Sequence, residues 1–263
     1  MGSTFFKLIL PIVLGLWSFP LIAEEKPTIR VAMAENFYPF YGMDAEGVAT
    51  GASIEIAEAV LERLGYDVRV TQYSDMRSVL EALASGRQDL VVNLTKTPER
   101  SKIALFTSTP HLHETQDMIV RADSRITLSH RLLDLARYRI GVVFGWTYGP
   151  EFDAAHFLHK EPVLDSTAQL KGLLAGRFDL AVNNRQFFMS RAESLGIDNA
   201  FKVLEPAVYS LPVNIAVSRK FERSSELRDR LEQAVSDFIQ TEDYTRIQKQ
   251  YGFKVSPLTG VRP

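Results

Sequence analysis

Cysteine is absent from the 263-residue chain. That absence removes disulfides, thiolate metal ligands, a cysteine nucleophile and a lipid-modified cysteine at a processed N-terminus. An excess of one charge is missing too. Thirty Lys and Arg stand against 32 Asp and Glu, a formal net charge of −2, which offers no field to attract nucleic acid or an anionic membrane surface. After the first 23 residues no apolar run approaches the ~20 residues that a spanning helix needs. There is no G-x-S-x-G elbow, no P-loop and no H-E-x-x-H. His111 and His113 could share a strand face, and His156 and His159 a helix face. Neither pair has an evident third ligand, and metal sites usually take three or four, so no metal and no cofactor is expected.

The chain does carry a leader pattern. Lys7 precedes the apolar run at 8–17, and residues 18–23 lead to Glu24-Glu25-Lys26. This reads as a secretory signal cleaved after Ala23, with an uncleaved anchor as the alternative. Pro11, Gly15 and Pro20 make a poor long helix, which suits a removed segment. The remaining chain is expected in the periplasm. At 46% hydrophobic and 24% charged it has ordinary globular composition.

Hydrophobic periodicity alternates between strand and helix. Strands are expected at 28–33, 66–71, 89–93, 139–144 and 178–183, with helices at 54–64, 76–84, 148–158, 167–175 and 186–195. Helical patterns at 225–240 and 243–251 close the chain. Strands separated by helices of this length point to parallel βαβ units and an α/β fold. One stretch recurs: residues 80–93 match residues 170–183 at Leu, Leu, Gly, Arg, Asp, Leu, Val and Asn. Each copy reads as a helix end, a glycine cap and a buried strand. Either these are two generic helix-turn-strand units, or one such unit lies in each of two similar lobes. In the second case the loops after Asn93 and Asn183 would line one cleft, since ligands bind beyond the carboxyl ends of strands in open α/β sheets.

The loop after Asn93 reads Leu94-Thr-Lys-Thr-Pro-Glu-Arg100. Thr95 and Thr97 offer hydroxyl and backbone donors, and Arg100 offers a planar fork suited to a carboxylate. In the second half, Phe144-Gly-Trp-Thr-Tyr-Gly149 follows a strand and opens a helix. There Gly145 permits close backbone approach, and Thr147 lies near helix-terminal N–H groups. The plainer alternatives are a surface ion pair for Arg100 and an N-cap for Thr147.

In order along residues 29 to about 253, the chain resembles the bacterial solute-binding protein family 3. The landmarks are Pro39-Phe40, Thr50-Gly51, Leu64-Gly65, Ser85-Gly-Arg-Gln-Asp89, Thr97-Pro-Glu-Arg100, Phe106-Thr-Ser-Thr-Pro110, Gly145, Ala175-Gly-Arg-Phe-Asp179 and Tyr251-Gly-Phe253. The resemblance implies a two-lobed periplasmic-binding-protein fold of type II, each lobe a mostly parallel sheet flanked by helices. The divisions it implies are a signal at 1–23, a first lobe at 24–116, a second at 117–210 and a return to the first at 211–263. The chain would cross between lobes near 113–120 and 208–215.

The resemblance also implies a ligand site: Phe37 packing on the ligand, Arg100 clamping a carboxylate with Asn93 and Thr95 on its approach, and Thr147 from the second lobe. Two positions depart from the family pattern. Asn184 stands where an aspartate usually meets the ligand's α-ammonium, and Met76 or a neighbour stands where many members carry an aromatic. A buried ammonium without a counter-charge is costly; Glu35 and Glu55 are candidate substitutes, and Arg185 would suit a second acidic group if it pointed inward. The function implied is capture of a small polar carboxylate, an amino acid or relative, by a monomer that delivers it to an inner-membrane ABC permease. A dehydratase-like enzyme on the same scaffold and a soluble sensor subunit are the alternatives.

Overall fold

A computed structural model describes residues 26–127, 131–205 and 207–253, together with Gly2. The expected leader and its expected cleavage point after Ala23 lie outside the described residues. In chain order, β1 (Thr28–Met33) precedes a small ribbon of β2 (Gly42–Met43) and β3 (Ala49–Thr50). Then come α1 (Ala52–Arg63), β4 (Asp67–Gln72), α2 (Met76–Ser85), β5 (Leu90–Leu94), β6 (Ala104–Phe106) and β7 (Leu112–Arg121). They are followed by β8 (Arg139–Val143), α3 (Pro150–Ala154), β9 (His159–Val163), α4 (Ser166–Leu174), β10 (Leu180–Asn183) and α5 (Arg185–Ser194). The last elements are β11 (Phe201–Val203), β12 (Tyr209–Ser218), α6 (Ser224–Phe238) and α7 (Glu242–Gln250).

These form two α/β lobes. In the first, β4, β1 and β5 are parallel neighbours; in the second, β10, β8 and β9 are. Two long strands join them. The first half of β7 pairs antiparallel with the first half of β12, from Leu112↔Val213 to Gln116↔Tyr209. From Asp117 onward β7 pairs with β10 and β11 of the second lobe, and from Asn214 onward β12 pairs with β5 and β6 of the first. Each lobe has hydrophobic clusters on both sheet faces. Trp146 packs against all four, so one side chain touches the cores of both lobes.

The repeated stretch folds the same way twice. α2 is capped by Asp75, which accepts the Ser78 N–H at 2.8 Å, and α4 by Asp165, which accepts the Ala168 N–H at 2.7 Å. Gly86 and Gly176 then turn at φ 77° and 70°, the left-handed conformation that ends a helix cheaply only at glycine. The aspartate three residues on ties the turn to the neighbouring strand. Asp89 accepts the Arg30 N–H at 2.8 Å while the Arg30 guanidinium donates to Asp89 and to the Gly86 carbonyl. Asp179 accepts the Arg139 N–H at 2.9 Å while the Arg139 guanidinium donates to Asp179 and to the Gly176 carbonyl.

One expected element is corrected. The helix read over 148–158 is only α3, and its continuation is the strand β9. Phe152, Ala155 and Leu158 are buried at a helix-like spacing, but the Lys160 ammonium takes the Phe152 and Asp153 carbonyls at 3.0 and 2.8 Å. That satisfies the acceptors a helix would otherwise carry forward. His159 therefore begins a strand and does not share a helix face with His156. β9 itself, His-Lys-Glu-Pro-Val, lies at the end of the strand order, where charges and proline are tolerated.

Candidate functional site

The lobes meet over a cleft lined from the first lobe by Phe37, Tyr41, Met76, Asn93, Leu94, Thr95 and Arg100, from β7 by Glu114, and from the second lobe by Trp146 and Thr147. Arg100 begins a short 3₁₀ turn after Thr97-Pro-Glu, with its N–H on the Thr97 hydroxyl at 3.2 Å. Its side chain runs back into the cleft. One terminal nitrogen donates to the Thr95 carbonyl and the other crosses to the Gly145 carbonyl, both at 2.9 Å. Two of the five N–H bonds of a guanidinium thus hold the group in place. Burial pulls its pKa down to about 10, against the opposing pull of Glu114 and Asp153, so it stays a cation at neutral pH. Gly145 adopts φ 82° beside Met76 and Arg77 of α2; the left-handed turn presents its carbonyl to Arg100.

Aromatic rings close the cleft. Phe37 stacks on Phe40 at 5.1 Å, meets Trp146 edge-on at 5.1 Å and lies 4.7 Å from Phe187. The cavity these residues enclose is about 30 Å³, room for little more than water. Seating an organic ligand against Arg100 therefore requires the lobes to part.

Glu114 was not singled out in the sequence, yet it is the buried acid of this cleft, 7% exposed. Burial pushes its pKa up to about 7, against the lowering effects of Arg100, Gln116 and Asn93. The Gln116 amide donates to it, and Asn93 lines the cleft beside it. Behind Asn93 the bonds run in one direction. The Ser53 hydroxyl donates to Asn93 Oδ1 at 2.8 Å and is 3.0 Å from His111 Nε2. The Ser53 proton is committed to Asn93, so His111 must donate to Ser53, and burial holds its pKa down to about 3. The chain His111, Ser53, Asn93 therefore holds the Asn93 side chain in place where it lines the cleft with Glu114. The signal was available: Leu112, Glu114, Gln116, Met118 and Val120 alternate along β7 and are all buried, which places a carboxylate in the inward phase of a strand.

Phe37, Asn93, Thr95, Arg100 and Thr147, all read from the sequence, come together in the cleft, and Met76 joins them. Thr147 gives its hydroxyl to Asp153 in α3, which also accepts the Tyr148 N–H. Asn184 lies elsewhere: it caps α5 by accepting the Phe187 N–H at 3.1 Å, and its amide donates to the Thr115 carbonyl at 3.1 Å. Asn183 is equally committed, to Gln169 and to the Asn184 N–H. Glu55 accepts from Tyr251 and Gln250 near the C-terminal helix. Glu35 binds Ser166 across the lobes. Arg185 pairs with the fully buried Asp117 and with Glu205. Among the described residues no group of three or more His, Asp and Glu could hold a metal ion, and no helix is long and apolar enough to cross a membrane.

Known proteins resemble this chain along most of its length. A Haemophilus influenzae protein described as a probable amino-acid ABC transporter-binding protein is 27% identical over 166 residues, 62% of this chain and 62% of that one. An ancestral arginine-binding protein solved with glutamine superimposes with a TM-score of 0.72 at 24% identity, covering 88% of this chain and 100% of that chain. A histidine kinase sensor domain with similarity to periplasmic binding proteins gives 0.73 at 20% identity, covering 86% and 96%. The two structures establish the fold, which is that of the periplasmic binding proteins. The sequence pattern of the bacterial extracellular solute-binding proteins, family 3, matches residues 29–254, and the chain belongs to that family.

Proposed function

We propose that this protein captures a small carboxylate, an amino acid or close relative, between its lobes and delivers it unchanged to an ABC permease from the periplasm. The observation that carries the reading is Arg100: a buried guanidinium, fixed by one carbonyl from each lobe, facing the inter-lobe cleft. A carboxylate entering the open cleft would take the remaining N–H bonds as a bidentate pair. Closure would then add contacts from Thr147 and Trp146, and ligand contacts made only in the closed form are what shift the two-state population. The relative from Haemophilus influenzae is described by the same role. The protein works in this reading as a monomer without a cofactor. A dehydratase-like activity would have to use Glu114 for proton transfer, because Asn183 and Asn184 are neutral and bonded away from the cleft.

The test is a thermal-shift screen of residues 24–263, unfolded and refolded to strip retained ligand, against amino acids, hydroxy acids, dicarboxylates and polyamines. A ligand at 100 times its Kd stabilises by about 2.7 kcal/mol, several degrees in a chain of this size. A carboxylate class should shift wild type and not Arg100→Ala, and should be recovered unchanged. Equal shifts in both proteins would remove Arg100 from the site. Conversion of the ligand would favour the enzyme, and silence across the panel would favour a partner-sensing role.

A further inference from the structure

The cleft holds a guanidinium and a carboxyl group in one small space. Arg100 and Glu114 are both 7% exposed, and both line the same cavity. They do not form an ion pair with each other, since no nitrogen–oxygen distance between them falls within 4.0 Å. Each keeps bonding capacity that the protein does not use. Arg100 spends two of five N–H bonds on backbone carbonyls. Glu114 receives the Gln116 amide, which leaves most of the four acceptor positions of a carboxylate open. Two residues along the same strand face, Gln116 Oε1 is buried without any partner, a second acceptor beside the acid. The groups acting on Glu114 from the surrounding elements are Arg100, Tyr41, Tyr148, Asn93 and Gln116. None is an ammonium.

We infer that Glu114 on the connecting strand β7 receives the ammonium group of a zwitterionic ligand whose carboxylate sits on Arg100. This rests on the carboxylate-binding reading above and deepens it, by naming Glu114 as the residue that selects for an ammonium group on the ligand. A guanidinium and a carboxyl group, close together and out of water, complement a molecule carrying a carboxylate and an ammonium, whose positive charge favours the ionised form of the acid. A monoanion would satisfy Arg100 and leave Glu114 buried beside an uncharged group, which is the costlier arrangement. The donor chain from His111 through Ser53 and Asn93 supports the same role. It fixes Asn93 beside Glu114 as a neutral polar group and brings no cation to the acid. Asn184, neutral and committed to capping α5, is then not required for ammonium recognition. The counter-charge has moved from the second lobe to the segment that joins the lobes.

The test compares ligand pairs of matched shape, L-alanine with L-lactate, L-phenylalanine with L-phenyllactate and L-glutamate with L-2-hydroxyglutarate, titrated calorimetrically into residues 24–263. Wild type should prefer the amino acid of whichever pair binds by at least tenfold. In Glu114→Gln, which keeps shape and one acceptor, that preference should fall to within about threefold. Wild type binding both members of a pair equally would overturn the inference while leaving Arg100 and the carboxylate reading intact, and it needs no variant to fold. A preference that survives in Glu114→Gln would overturn it as well. Carboxylates that bind equally to Arg100→Ala would instead overturn the underlying reading.

Discussion

Glu35 of the first lobe accepts two hydrogen bonds from Ser166 of the second, one from the backbone N–H at 3.2 Å and one from the hydroxyl at 2.7 Å. Ser166 is the first residue of α4, where N–H groups have no partner within the helix and a carboxylate is favourable. The contact exists only when the lobes touch, so it stabilises the closed form without meeting the ligand. Ser166→Ala removes one of the two bonds, about 0.5–1.5 kcal/mol. It is expected to weaken every ligand by the same factor, about two- to tenfold, in calorimetric titrations. A loss confined to one ligand would mean that Ser166 contacts it directly.

The paired aspartates of the repeat should differ in weight. Asp89 and Asp179 make the same bonds to Arg30 and Arg139, but their side chains are 5% and 31% exposed. Asp89→Ala strips a buried arrangement of charge-assisted bonds and should cost about 2–3 kcal/mol in denaturant unfolding. Asp179→Ala should cost under about 1 kcal/mol, as solvent-screened pairs do. Equal costs would show that burial does not set the strength of this device.

Stability should depend on pH through two buried groups of opposite sign. The Glu114 carboxyl has its pKa raised from 4.5 to about 7. The folded protein therefore holds that proton more tightly, and its contribution is complete below about 4.5 and lost as pH rises to about 7. His111 has its pKa lowered from 6.5 to about 3. Its contribution is complete above about 6.5 and lost as pH falls to about 3. Relative to wild type, the melting temperature of Glu114→Gln should rise between pH 5 and 8, and that of His111→Gln should rise as pH falls from 7 to 4. The differences are on the order of 3 kcal/mol. A Glu114→Gln difference that does not change with pH would mean the acid is already ionised at pH 5.

The fold was legible because its signals are local. Buried β5 and the glycine turns at Gly86 and Gly176 repeat in the sequence, and so does the structure around them. What failed was long-range. Nothing in the run 148–158 shows that Lys160 will take the last carbonyls of α3, and β9 shows no strand periodicity because an edge strand tolerates Pro162 and charge. The site was legible as far as its loops. Arg100 follows a strand end and a Pro turn, and Thr147 a glycine, so spacing and family pattern found them. Asn184 was drawn to the site by pattern alone, while its amide is spent on Thr115 and the α5 cap. Glu114 was passed over because β7 was read as a crossing segment with no assigned face. Once its two-residue period is set by Leu112 and Met118, the acid falls inward.

The central claim is that a small carboxylate closes the lobes through Arg100, and Trp146 reports it directly. Of the two tryptophans, residues 24–263 carry Trp146 alone, packed against the cores of both lobes and edge-on to Phe37 at 5.1 Å. Titration of that chain with amino acids, read by tryptophan fluorescence, should give a saturable change with at least one of them, and Arg100→Ala should abolish it. Fluorescence that stays constant while calorimetry detects binding, or a response that survives Arg100→Ala, would contradict the account.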